Sequence, residues 1–184
     1  MRKLFLMLLI ILLPVMVVGC GSTHTENIAT ISKEEEDNNL DGMGVKYSLQ
    51  NLKKGEYDIQ LYGEEYHKGK LKEKYELIES QIVIDNKNKS IPIDIYCQGE
   101  NLSVKIDGTH RDGPLDFFNN LENGMALVAL GEKEEIGLNK ELKVAAYSIG
   151  NKDKYTESID LNEDYKSSRN EKDLIIYLKI NKID

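Results

Sequence analysis

Tyr57-Asp58-Ile59-Gln60-Leu61 alternates apolar and polar side chains residue by residue. In an extended chain successive side chains point to opposite faces, so this spacing puts Tyr57, Ile59 and Leu61 on one buried face and Asp58 and Gln60 on the other. The same rhythm continues outward from it. His67-Lys68-Gly69-Lys70 interrupts the run, and Leu71 to Glu79 follows as the partner strand of a hairpin. Further strands are expected at Gln81 to Asp85, Ile91 to Cys97 and Leu102 to Asp107. Turn-forming residues at Asn86 to Ser90 and Gln98 to Asn101 separate them.

The later half is less regular. Gly108-Thr109-His110-Arg111-Asp112-Gly113-Pro114 reads as a loop, and Leu115 to Asn123 as a helical turn or an irregular excursion before the apolar Met125 to Leu130. Strand signals resume at Glu141 to Ile149, which Gly150 to Lys154 links to Tyr155 to Leu161 as a second hairpin. A polar loop from Asn162 to Lys172 precedes a last strand in which Leu174, Ile176, Leu178 and Ile180 share one face. With no internal repeat and no sustained amphipathic helix, these short strands predict an all-β domain. The expected architecture is an antiparallel β-sandwich, with a small β-barrel as the competing closure. The strand rhythm resembles that of immunoglobulin-like domains, although the chain has no Trp to supply their buried landmark.

The N-terminal end carries a different signal. Arg2 and Lys3 lead into an apolar run from Leu4 to Val18, which stops short of the roughly 20 residues a membrane span needs. It ends in Val17-Val18-Gly19-Cys20, which resembles the lipobox of bacterial lipoproteins. That resemblance implies a signal peptide over residues 1–19, cleavage before Cys20, lipidation of the Cys20 thiol, and anchorage on the extracytoplasmic face of the cell membrane. From Cys20 to about Gly44 the chain is polar and poor in aromatics, with the acidic run Glu34-Glu35-Glu36-Asp37, and reads as a flexible tether. Its r.m.s. reach would be about 25 to 30 Å. Residues 45–184 are then expected as a single β-rich domain.

Charge narrows the partners. The formal net charge is -8, and losing Arg2 and Lys3 with the leader would take it to -10. Nucleic acid binding needs clustered Lys and Arg, and here acidic residues are interleaved with the basic ones. Contact with the membrane is therefore expected through acyl chains rather than a basic surface. With Cys20 committed to lipid, the second of the 2 cysteines, Cys97, is left alone, so no disulfide staples the mature domain.

Candidate chemistry is thin. Of the 3 histidines, His24 falls in the tether and His67 in the hairpin turn. His110 has Asp107, Asp112 and Asp116 around it, a set that could do acid/base work or hold a metal, although turn residues explain the same letters. His110-Arg111-Asp112 matches the protein-kinase catalytic tripeptide without that family's companion motifs. Cys97 shares the phase of Ile91, Ile93 and Ile95 and is expected to be a buried, unreactive thiol. No zinc-ligand spacing exists. Asp160, Asn162, Asp164 and Glu171 stand at the ligand positions of an EF-hand calcium loop, but Tyr165 replaces the turn glycine, so no metal is assigned. Tyr62, Tyr66, Tyr75, Tyr96, Tyr147 and Tyr177 lie in expected strands, and those facing outward would form a platform for sugar rings or a partner protein. No cofactor is implied. The expected function is a non-catalytic binding or interaction module of the cell envelope, with an envelope protein or cell-wall glycan as partner. The alternatives are an envelope hydrolase using His110 and a carbohydrate-binding module using the tyrosines.

Overall fold

The computed structural model describes residues 28–34, 42–86, 89–119, 124–131, 133–150, 156–165 and 168–183. Among them run the strands β1 (Ile28–Lys33), β2 (Met43–Gln50), β3 (Gly55–His67), β4 (Lys70–Ile84), β5 (Ile91–Gln98) and β6 (Asn101–Ile106). These are followed by β7 (Thr109–Pro114), β8 (Met125–Ala129), β9 (Lys133–Gly137), β10 (Glu141–Ile149) and β11 (Lys172–Ile183). One sheet has the order β7-β6-β5-β2-β1-β9 and the other β4-β3-β11-β10-β8, with antiparallel pairing throughout. The sheets pack together without closing on each other, so the domain is a β-sandwich and not a barrel. Its connectivity is not that of an antibody domain, because the last strand, β11, lies between β3 and β10.

The alternation that predicts the strands also builds the core. β3 buries Tyr57, Ile59 and Leu61, β5 buries Ile91, Ile93, Ile95 and Cys97, and β11 buries Leu174, Ile176, Leu178 and Ile180. Each such large side chain contributes about 1.5–3 kcal/mol when removed from water. A 3₁₀ turn at Asp116–Phe118 adds Phe117 and Phe118, whose rings meet edge to face at 4.9 Å. Phe118 in turn stands edge-on to Tyr147 at 5.3 Å, an arrangement that suits the aromatic quadrupole. This turn is the excursion expected after Leu115, while residues 120–123 lie outside the described residues.

One buried hydroxyl ties the sheets together. Tyr47 of β2 has no exposed surface, and its hydroxyl donates across the core to the carbonyl of Val144 in β10. The same oxygen accepts the backbone N–H of Leu130 at 3.0 Å, and that N–H is shared with the Val144 carbonyl at 3.1 Å. The β10–β11 register shifts between Lys143 and Ala145, at this point. Val144 is thus the extra residue of the bulge, its carbonyl is held by Leu130, and Tyr47 adds a second bond to each group from the other sheet.

Several expectations need correcting. The tether expected from residue 20 to 44 contains β1, an interior strand paired with both β2 and β9, with Ala29 and Ile31 buried. The run Ile28-Ala29-Thr30-Ile31, with three β-branched residues, outweighs the polar surroundings, because ladders on both sides offset the cost of ordering it. The folded domain therefore starts by Ile28 and not at Val45. Residues 109–114, expected as a loop, form the edge strand β7. β9 was not expected at all, since in Lys133-Glu134-Glu135-Ile136-Gly137 only Ile136 is buried. Charged side chains suit an edge, where they discourage pairing with another chain. The expected strands Leu71–Glu79 and Gln81–Asp85 are one strand, β4, whose alternation slips at Leu77 because of a bulge against β3. The second hairpin is absent: residues 156–161 are not strand, and β10 pairs with β8 and β11 instead.

Gly44 shows how closely the sheet is packed. It pairs with Tyr96 across β2 and β5, and a Cβ there would stand 2.2 Å from the Tyr96 ring and 2.8 Å from the Ile95 carbonyl oxygen. Gly44→Ala should lower stability by about 1–3 kcal/mol, read as a drop in thermal midpoint. An unchanged midpoint would mean that Tyr96 moves aside freely.

Candidate functional site

The half of β3 that is not in the core faces outward on the five-stranded sheet. Asp58, Gln60, Tyr62, Glu64 and Tyr66 take this phase, and the pairing with β11 sets Tyr62 opposite Tyr177 and Gln60 opposite Lys179. The Tyr62 and Tyr177 rings lie parallel within 5°, centroids 4.9 Å apart. Glu64 anchors the cluster by accepting the hydroxyls of Tyr66 at 2.6 Å and Tyr177 at 3.2 Å and by pairing with Lys74. Burial alone would raise the Glu64 carboxyl, but Lys74 and the two tyrosine hydroxyls outweigh it and hold the group below its usual range. Burial, reinforced by the Glu141 and Glu64 carboxylates, pushes the Tyr62 hydroxyl well above its ordinary value, so it stays protonated.

Part of this face is covered by residues 156–165 and 168–170. Lys143 reaches the Glu163 carbonyl over β10, and the Tyr165 ring lies tilted by 36° against Tyr66 with centroids 4.0 Å apart. The cover is fastened at Asp173, which is buried and accepts from Ser148 (2.8 Å), Tyr165 (2.8 Å), Asn170 (2.7 Å) and Ser168. Asn170 also grips the backbone of Glu157, accepting its N–H at 2.7 Å and donating to its carbonyl at 2.9 Å.

Two clefts flank the edge strand β4. Where Leu61 and Tyr62 face Ile78 and Glu76, the ladder is irregular and Leu77 is the extra residue. The Arg111 guanidinium from β7 reaches over and donates to the carbonyls of Glu76 and Leu77, while Ser80 and Thr109 meet at 3.1 Å. These side chains close the seam between the two sheet edges where no backbone ladder does. On the Tyr62 side lies a cleft of about 210 Å³ whose lining includes Gln60, Tyr62, Glu76, Ile78, Glu79 and Arg111. On the other side a cleft of about 360 Å³ runs between Tyr75 and the β6–β7 residues Leu102, Val104, Gly113 and Pro114.

His110 is exposed on β7, opposite Lys105. Asp107 sits in the preceding turn and pairs with Lys89 at 3.3 Å, and Asp116 accepts from Asn119, so neither is turned to His110. His67 is the last residue of β3, and its Nε2 contacts Glu65, a fully buried carboxylate that also accepts from Tyr75 and from Lys72 at 3.2 Å. Cys97 is buried as expected, its thiol 3.5 Å from the Gly99 carbonyl and pushed by burial up to about 11. Asp160 accepts the backbone N–H of Asn162 at 2.9 Å, an ordinary turn bond. Among the described residues no three or more His, Cys, Asp or Glu side chains converge as a metal site, so Asp160, Asp164 and Glu171 are not brought together. Tyr147 is a core residue whose hydroxyl donates to the Met43 carbonyl at 3.1 Å. Cys20 and His24 lie outside the described residues. Among the described residues no helix is long and apolar enough to cross a membrane.

Glu64, Glu76, Glu79 and the reach of Arg111 to the β4 backbone carry no mark in the sequence. The alternation of β3 already placed Gln60 and Tyr62 on the outer face, but it could not reveal that β11, distant in sequence, would bring Tyr177 beside Tyr62. No protein-family model matches the chain, and neither a curated protein nor a solved structure matches it.

Proposed function

We propose that this protein is a membrane-anchored lipoprotein of the extracytoplasmic face, whose β-sandwich is a non-catalytic binding or interaction module of the cell envelope. The observation that carries the reading is the sequence from Arg2 to Cys20, a short basic start and an apolar run ending in Val17-Val18-Gly19-Cys20. Acyl chains on Cys20 would hold the domain at the membrane, within reach of an envelope protein or cell-wall glycan. The outward tyrosines support a binding role, because rings fixed by stacking and by hydroxyl bonds lose little freedom when a partner arrives. Catalysis at His110 is the weaker reading, since Asp107 and Asp116 are engaged elsewhere and His110 lies on an exposed edge strand.

Feeding cells a palmitate analogue should label the protein, and Cys20→Ala should abolish both the label and its recovery in the membrane fraction. A Cys20→Ala protein that stays membrane-bound at the wild-type level would refute the anchor.

A further inference from the structure

We infer that the cleft beside Tyr62 is a binding site for a neutral, hydroxyl-rich saccharide, with the Tyr62 ring as its stacking wall. The inference rests on reading the sandwich as a binding module and names the ligand class of its outer face.

Strand order fixes which side of Tyr62 is available. β3 lies between β4 and β11, and Tyr177 of β11 covers one face of the Tyr62 ring at 4.9 Å. The cleft residues Glu76, Ile78 and Glu79 all belong to β4, so the ring borders the cleft from the opposite side. The bulge at Leu77 produces this recess by breaking the regular spacing between Tyr62 and Glu76. With its hydroxyl against the Glu141 carboxylate and one face stacked, the ring is already oriented before any ligand binds.

The lining selects the ligand by exclusion. Glu76 and Glu79 disfavour an anion, as does the formal net charge of -8. Arg111, which lines the same cleft, offsets one of the two carboxylates and so weakens the pull on a cation. What remains is a neutral molecule with one apolar face to lie on Tyr62 and the half-buried Ile78 and an edge of donors for the carboxylate and amide oxygens of Glu76, Glu79 and Gln60. A pyranose has this construction: axial C–H groups make one face apolar, and vicinal hydroxyls present paired donors to a carboxylate. A cleft of about 210 Å³ is of the size of one such ring with part of its neighbour.

The full-length ¹⁵N-labelled protein in detergent micelles would be titrated separately with a β-1,4-linked N-acetylglucosamine tetramer and with cellotetraose, following backbone amide shifts. The expected result is a saturable shift with at least one of them, centred on Gln60, Tyr62, Glu76 and Glu79. Tyr62→Ala should weaken binding by about tenfold or more, whereas Tyr62→Phe, which keeps the ring, should stay within about twofold. If Tyr62→Ala does not fold, Glu79→Ala, on the exposed edge strand, carries the test with an expected loss of about threefold or more. No saturable shift up to about 10 mM of either sugar overturns the inference, and so does binding that is indifferent to Tyr62→Ala in a folded protein. A protein captured by crosslinking on cells and lost in Tyr62→Ala, together with flat sugar titrations, would overturn the saccharide while leaving the binding module standing.

Discussion

Tyr47→Ala is expected to lower the stability of the domain by about 3–5 kcal/mol, and Tyr47→Phe by about 1–2 kcal/mol. The larger figure is the removal of a fully buried aromatic side chain from between two sheets, where neighbouring side chains already sit in a packed core and can only partly collapse into the space. The smaller one isolates the hydroxyl. Without it the Leu130 N–H still reaches the Val144 carbonyl at 3.1 Å, so no backbone group at the β10 bulge is orphaned. What is lost is a buried bond from the hydroxyl to Val144 and another from Leu130. Chemical denaturation of the two variants would measure both numbers. Equal losses would mean that the hydroxyl, and not the ring, is what the core depends on.

Burial also fixes the protonation of that hydroxyl. It pushes Tyr47 well above the ordinary tyrosine value, with the Leu130 N–H pulling only weakly the other way. A group raised in the folded state contributes stability that is complete below its unfolded value and is lost as pH rises toward the folded one. For Tyr47 that window lies above pH 10, so the sheet-to-sheet bond is insensitive to pH through the neutral range.

What could be read from the sequence divides along one line. Local alternation reported which way a side chain points: Tyr57, Ile59 and Leu61 inward, Cys97 with the isoleucines of β5, Leu174 to Ile180 along one face of the last strand. It failed where an element is defined by its neighbours. β7 and β9 are edge strands, and their charged residues carry no apolar period because one sheet edge needs little burial. β1 is hidden by the polar residues around it, although Ile28 to Ile31 within it have strand chemistry. β4 read as two strands because Leu77 slips the phase by one. The candidate site combines both kinds. Tyr62 and Gln60 were legible as outward residues, but the Tyr177 partner, the bulge and Arg111 depend on pairing between distant strands.

The clamp at Asp173 should be nearly as costly to break as the core. Four donors converge on this carboxylate: the hydroxyls of Ser148, Tyr165 and Ser168, and the Asn170 amide. Asp173 and Asn170 are each about 1% exposed, so water cannot readily replace the lost acceptor. Leaving several buried donors unpaired in Asp173→Ala should cost about 3–5 kcal/mol. Asp173→Asn keeps the shape and one acceptor oxygen but sets an amide against the remaining donors, and about 1–3 kcal/mol is expected. The four bonds act as one network, so Tyr165→Phe and Ser168→Ala should each cost less alone and combine non-additively. The damage should also be local in its first stage. Hydrogen exchange at Glu157, whose N–H is held by Asn170, should speed up before exchange in β11 does, because the cover can lift while the sheet stays paired. If Asp173→Ala instead melts within about 1 kcal/mol of the parent, the cover is held by its apolar residues Ile159 and Leu161 and not by the carboxylate.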